Sequence, residues 1–312
     1  MSLNLVRDDR SRWGVLDGDV VLPLPAEYVT TADVLTDGLK VARELRADPQ
    51  AKGRPLSSLR LAHPVPDARI FCQGANYPAH MRESGMDPQR AFNMLFTKST
   101  ASLTGPAGEI VRPGHVRLLD YEVELGIVLG KAITGPVTVT EDNLHEYVGA
   151  FVLADDVSAR DVQLPQGQWY KGKSYPTFCP VGPWLCVPER QEVARWRELR
   201  LTLSVNGTVR QDAPAGEMVF TPAATLTELS GLERLDIGDL LLTGTPGGVA
   251  LQPPPAFVQR VAGLLPDTLR WRLFVDGQAR SDAYLQSGDR VTASIRTADG
   301  ALDLGTQDHT VR

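Results

Sequence analysis

Apolar and polar positions alternate along much of the chain. Runs such as LRLTLSVNGTVRQ (199–211) place an apolar side chain at every second position, as a strand with one buried face requires. The dipeptides Asp17-Gly18, Asn206-Gly207, Asp276-Gly277 and Asp299-Gly300 lie between short β-rich runs and predict hairpin turns. Helical spacing is rarer. From Thr31, read as an N-cap, Leu35, Leu39, Ala42 and Leu45 recur at three- and four-residue steps, and the pattern stops before Pro49. TEDNLHEYV (140–148) and TLTELSGL (225–232) predict two further short helices. AKGRPLSS (51–58) reads as a linker closing a small unit of hairpin plus helix. The pattern predicts an α+β, β-rich protein, with a small N-terminal domain over 1–66 and a larger domain over 67–312.

One strand carries an anomaly. In DYEVELGIVLG (120–130), Glu122 and Glu124 stand two residues apart, so an extended backbone points both carboxylates to one face. Two anions that close repel each other unless they meet solvent or a cation. Either the strand has a polar outer face or the pair is half of a metal site.

Composition narrows the classes. The chain has 312 residues, with 42% hydrophobic and 22% charged positions, as in ordinary globular proteins. A net charge of -6 and a pI near 5.5 disfavour nucleic acid or an anionic membrane as partner. No apolar run is long enough to span a bilayer, and MSLNLVRDDR lacks the apolar core of a signal peptide; a cytoplasmic protein is expected. Cys72, Cys179 and Cys186 have no metal-ligand spacing and are expected to be reduced and buried.

Four further stretches could carry chemistry. In QGANYPAHMRE (73–83), His80 and Glu83 are three residues apart, neighbours on a helical turn. Such a pair suits a general base acting on water, although most pairs at this spacing are ordinary helix surface contacts. LADDVSARDVQ (153–163) offers Asp155, Asp156 and Asp161 beside Arg160 and Gln163. A carboxylate from this stretch added to Glu122 and Glu124 would suit Mg²⁺ or Mn²⁺ rather than Zn²⁺, and Arg160 could clamp a substrate carboxylate. The alternative is an Asx-rich turn with Arg160 as its counter-ion. YKGKSYPTF (170–178) sets Lys171 and Lys173 in a short polar loop between aromatics; one of them is expected to face inward, the alternative being ordinary solvated lysine. DIGDLLLTGTPGGVA (236–250) runs a buried strand into a Gly-rich turn where Thr245 and nearby N–H groups could hold an anionic oxygen, or simply turn the chain.

Taken in series, GANYPAHMRE, DYEVELGIVLGK, DDVSARDVQ, KGKSYPTF and LTGTPGGV resemble the fumarylacetoacetate hydrolase family from about Ile70 to Ala250, with a weaker likeness at YLQSGDRV (284–291). The resemblance implies a mixed β-roll or sandwich-like catalytic domain, an Mg²⁺ or Mn²⁺ ion, a small oxo-acid substrate and a homodimer. By position it implies Glu122, Glu124 and Asp156 as metal ligands, and His80 with Glu83 as a water-activating dyad. It assigns Lys173 a catalytic role and places Arg160, Gln163 and Thr245 against the substrate. Thr177 matches a position near the metal, and Lys98 a lysine near the pocket. The implied reaction is hydrolysis of a C–C bond in a β-diketone or acylpyruvate-type oxo-acid, through an enolate stabilised by the cation. Decarboxylation or isomerisation of an oxo-acid, or metabolite binding without catalysis, are the alternatives.

The chain departs from the family pattern in three places. Ser99 stands where proline often follows the lysine, and the IRTADGALDLGTQDHTV ending is unusual. Residues 252–284 form an insertion with a hairpin signal and an apolar stretch, AFVQRVAGLL, between prolines. It could cover the pocket, extend a dimer interface or elaborate the surface.

Overall fold

A computed structural model describes residues 2–89, 92–254 and 256–312. Its strands assemble mainly into two sheets. The larger, of eleven strands, runs Arg54–Pro55, Val20–Pro23, Trp13–Asp17, Leu3–Asp8, Trp184–Val187, Val148–Asp155, Val123–Leu129, Leu240–Leu242, Ile70–Gly74 and Met94–Lys98, with Leu61–Ala62 also paired to Leu3–Asp8. The smaller, of five strands, runs Thr208–Pro214, Arg200–Val205, Arg290–Arg296, Asp303–Val311 and Ala107–Ile110. With short helices at the edges, the fold is the β-rich α+β architecture that the alternation predicts.

Val123–Leu129 lies near the middle of the larger sheet, between Val148–Asp155 and Leu240–Leu242, and all seven of its residues are buried. Val123, Leu125 and Ile127 join the core against Leu201, Leu203 and Ile295 of the smaller sheet. Val128 faces the opposite way, into a second core with Val152, Leu242, Val34 and Leu35. A strand buried on both faces leaves no outer face for Glu122 and Glu124, and both are indeed buried.

The N-terminal segment shares this sheet. Leu3 to Val6 pair antiparallel with Val187 to Trp184, so the strands of 1–66 extend the larger sheet; Arg54–Pro55, inside the expected linker, pairs with Val20 and Val21.

Three hairpins form as predicted, at Gly18, at Asn206-Gly207 and at Gly300, where positive φ angles demand such residues. The fourth does not. Asp276 and Gly277 lie in the helix Asp267–Gln278. The preceding run DTLRWRLFV is helical, and its Leu and Arg residues are good helix formers. The first helix is capped by Thr30 rather than Thr31: Thr30 Oγ1 accepts from Asp33 N–H (3.0 Å) while Asp33 accepts from Thr30 N–H (2.9 Å). The helix expected at 225–232 begins earlier, at Pro222. In 140–148 only a 3₁₀ turn, Leu144–Glu146, is formed.

Candidate active site

Three stretches distant in sequence converge where the larger sheet's strands end. Val123–Leu129 brings Glu122 and Glu124, the turn after Val148–Asp155 brings Asp156, and a short helix, Trp169–Lys173, brings Lys173. Oxygens of Glu122, Glu124 and Asp156 lie within 4.8 Å of one another, and all three side chains are buried.

The surrounding charges alternate in sign. Lys98 Nζ donates to Asp156 Oδ1 (2.5 Å), and Lys173 Nζ to both Asp156 Oδ2 and Glu122 Oε2 (2.6 Å each). Arg160 donates to Glu122 Oε1, to Asp120 Oδ2 (2.8 Å) and to Gln163 Oε1 (2.9 Å). Burial disfavours the charged form of Glu122, but Arg160 and Lys173 outweigh it and hold this carboxyl down at about 2. Glu124 behaves oppositely: burial and repulsion from Asp156 and Glu122 push its carboxyl well up, against a hydrogen bond from Gly244 N–H (2.8 Å).

This donor set fits a divalent cation. Around the site, Asp120, Glu122, Glu124, Asp155 and Asp156 face Lys98, Arg160 and Lys173, all buried. Five carboxyl groups crowd around three cations there, and a divalent ion would offset the repulsion from Asp156 and Glu122 that pushes Glu124 toward its neutral form. Oxygen donors without sulfur or imidazole suit a hard ion such as Mg²⁺ or Mn²⁺. Asp155 is set apart from Asp156. Its Oδ1 accepts from Glu122 N–H (2.8 Å), and burial raises its carboxyl to about 7.

A cavity of about 890 Å³ opens beside this network, and His80, Glu122, Arg160, Gln163, Lys173 and Thr245 line its inner end. His80 sits on the helix Pro78–Glu83, as its spacing predicts. Burial lowers its imidazole to about 4, with Glu122 and Asp120 working in the opposite direction, so the ring is neutral at pH 7. The expected contact with Glu83 is replaced by another. Both Glu83 oxygens accept from Gly248 N–H (2.9 and 3.1 Å), while His80 Nδ1 is buried without a hydrogen-bond partner. The helix does make the two residues neighbours, but the nearby Gly248 N–H takes the carboxylate. Gly248 has φ +101°, and a Cβ there would collide with the Arg210 carbonyl, so only glycine fits.

Other expected residues serve the frame in this arrangement. The Thr245 hydroxyl donates to the Val123 carbonyl (3.0 Å) and accepts from Gln211 (2.7 Å). Thr177 does not line the cavity; its hydroxyl accepts from Val111 N–H (2.8 Å). Lys171 is exposed while Lys173 is buried, which resolves the inward lysine.

Two residues escaped sequence reasoning. Asp120 accepts from Arg160 and from Ala250 and Leu251 N–H groups (2.8 and 3.1 Å), tying three segments together. Its signal was its place at the start of the anomalous strand. Gln211 bonds Val123 N–H (3.0 Å) and Thr245 from the second sheet, and nothing local marked it. The insertion lies over the cavity as two helices, Ala256–Ala262 and Asp267–Gln278, whose side chains line its outer part.

Residues 69–312 match the fumarylacetoacetate (FAA) hydrolase C-terminal family model. The chain is 39% identical over 222 residues to 2,4-didehydro-3-deoxy-L-rhamnonate hydrolase of Sphingomonas sp. strain SKA58, covering 68% of this chain and 76% of that protein. It is 34% identical over 252 residues to a mitochondrial oxaloacetate tautomerase of Rattus norvegicus, covering 79% and 78%. Maleylpyruvate hydrolase from Sphingobium sp. SYK-6, solved with manganese(II) and pyruvate, superposes with a TM-score of 0.72 at 25% identity, over 99% of this chain and 98% of that one.

Proposed function

Because the chain belongs to the fumarylacetoacetate hydrolase family, we propose that it is a divalent-metal-dependent enzyme that hydrolyses a C–C bond in an acylpyruvate-type oxo-acid. The observation that carries this reading is the buried triad Glu122, Glu124 and Asp156 beside a neutral His80 facing the same cavity as Glu122. The manganese and pyruvate in the maleylpyruvate hydrolase structure support the same chemistry here.

Glu122, Glu124 and Asp156 would hold the ion, and when bound it supplies Lewis-acid polarisation of the oxo-acid's oxygens. Arg160, fixed by Asp120 and Gln163, orients Glu122 and presents positive charge to the inner end of the cavity. Lys173 lines the same end and offsets negative charge developing on the substrate. His80 takes a proton from water, whose oxygen bonds to the distal carbonyl carbon. The C–C bond then breaks with its electron pair going to the oxo-acid fragment. The proton held on His80 passes to the carbon of the oxo-acid fragment that took the electron pair, giving a carboxylic acid and a 2-oxo acid. Glu83 anchors the His80 helix to Gly248 rather than polarising the ring.

A second reading, keto–enol tautomerisation of an oxo-acid, is favoured by the lack of a partner on His80 Nδ1 and by likeness to the rat tautomerase. Proton transfer at one carbon needs a single base and no activated water.

Protein loaded with Mg²⁺ or Mn²⁺ and mixed with an acylpyruvate in ¹⁸O-water is the test. Two acids, one carrying ¹⁸O, are expected. Proton exchange or carbon dioxide release without cleavage into labelled acid rejects the hydrolase in favour of tautomerase or decarboxylase chemistry.

A further inference from the structure

We infer that residues 252–284 form the far wall of the substrate pocket, and that this wall selects oxo-acids bearing a long alkyl or aromatic tail. The inference rests on the oxo-acid reading of the inner end and deepens it. The insertion's side chains that line the cavity are apolar apart from Arg270 and Gln278, whereas Glu122, Arg160 and Lys173 bring charge to its inner end. Outward, the wall consists of Trp169, Leu251, Val261, Leu265, Trp271 and Phe274, four of them from the insertion. At about 890 Å³ the cavity stands near the top of the roughly 300–1,000 Å³ range of pockets for drug-sized ligands, far more than a three-carbon oxo-acid fills.

The wall is held in place. Arg117 donates to Asp276 (2.7 Å), and Gln278 bonds both Gln252 O (2.6 Å) and the Tyr284 hydroxyl (2.7 Å). Phe274 and Val275 pack against the main core. Trp271 meets Phe274 edge-to-face, with centroids 5.7 Å apart. Opposite, Trp169 stacks its edge on Phe96 at 4.9 Å. A tail entering between these aromatic surfaces leaves water for an apolar slot. Arg270 also lines the cavity, but its guanidinium pairs with Asp267 (2.9 Å) and lies over the Trp271 ring. Its charge is matched within the wall, which favours an uncharged tail over a second carboxylate.

The test measures binding and turnover separately. Protein loaded with Mn²⁺ is titrated calorimetrically with straight-chain 2-oxo acids from pyruvate to 2-oxodecanoate. Binding tightens about threefold per methylene as the tail enters the wall. Val261→Asp, which sets a carboxylate in the wall at a position 63% exposed where folding tolerates it, flattens that dependence; Trp271→Phe, which keeps an aromatic surface, preserves it. Dissociation constants that stay within about twofold across the series overturn the inference, as does an unaltered chain-length dependence in Val261→Asp. Acylpyruvate cleavage is assayed in the same samples. No cleavage with the dependence intact rejects only the hydrolase reading, and cleavage with a flat series rejects only the tail pocket.

Discussion

At the inner end of the cavity, Glu122, Asp156, Arg160 and Lys173 are buried, and each is bonded to at least two charged partners. At the outer end, Val261 is 63% and Leu273 51% exposed, on helices that contribute apolar surface and few polar contacts. The inner residues sit on or beside central strands, where the backbone fixes each atom and a lost partner strands a buried charge. The outer helices reach the core through Phe274 and Val275. Position at the inner end is therefore set by electrostatics, and at the outer end by shape, so the same kind of substitution should have very different costs in the two places.

The harshest break is Glu122→Gln. It removes a proposed metal ligand and deprives Arg160 and Lys173 of a charged partner. Cation binding by calorimetry and turnover should both be abolished, with about 3–5 kcal/mol lost in denaturant unfolding. If His80 is the base, turnover in His80→Ala should fall roughly 10²- to 10⁴-fold while the cation still binds, which would separate the proposed base from the proposed metal site. Asp120→Asn tests whether the network behind the ligands matters as much as the ligands. A loss of about 3 kcal/mol is expected in unfolding, and parent-like stability would show that Arg160 is held without it.

Acid sharpens the contrast from another side. His309 is buried with both ring nitrogens unbonded, and burial lowers its imidazole to about 4 against a partial lift from Asp308. Above the unfolded pKa near 6.5 neither state carries the proton, and stability is at its full value. Between about 6.5 and 4 the unfolded chain takes the proton first, so stability should fall by up to a few kcal/mol and then level off. His80, also lowered to about 4, adds to the same limb, so His309→Phe should make it shallower rather than flat in urea titrations at each pH. The smallest effect belongs to the cap's outer surface: Leu264→Ser, at a residue 86% exposed and away from the cavity wall, should move stability by no more than about 0.5 kcal/mol.

Much of the inner site was legible because its signal is local. Two glutamates at strand spacing, a histidine on a short helical turn and an inward lysine each show in a few residues, and the family resemblance supplied their grouping. The partners of these residues were not legible. Asp120 bonds Ala250 and Leu251 across 130 and 131 positions, and Gln211 reaches Val123 across 88, so no window of sequence shows either contact. The insertion misled for the converse reason. Its Asp-Gly dipeptide is a local turn signal, overridden by the helix-forming run that precedes it. The Glu83 contact failed at a finer level, since spacing predicts proximity on a helix but not which neighbouring N–H wins the carboxylate.

The chain Lys98–Asp156–Lys173–Glu122–Arg160–Asp120 also bears on how the polypeptide finds its native strand pairing. Its members come from four separated segments, so its charges are matched only when all four have arrived. Slipping Val123–Leu129 by one residue against its neighbours would turn every side chain to the other face. Glu122 and Glu124 would then point into the hydrocarbon between the sheets, and Val123 and Leu125 into a nest of ammonium and guanidinium groups. The charges that prepare the site thus act as a checksum on strand register, penalising a misaligned sheet before any ligand is present.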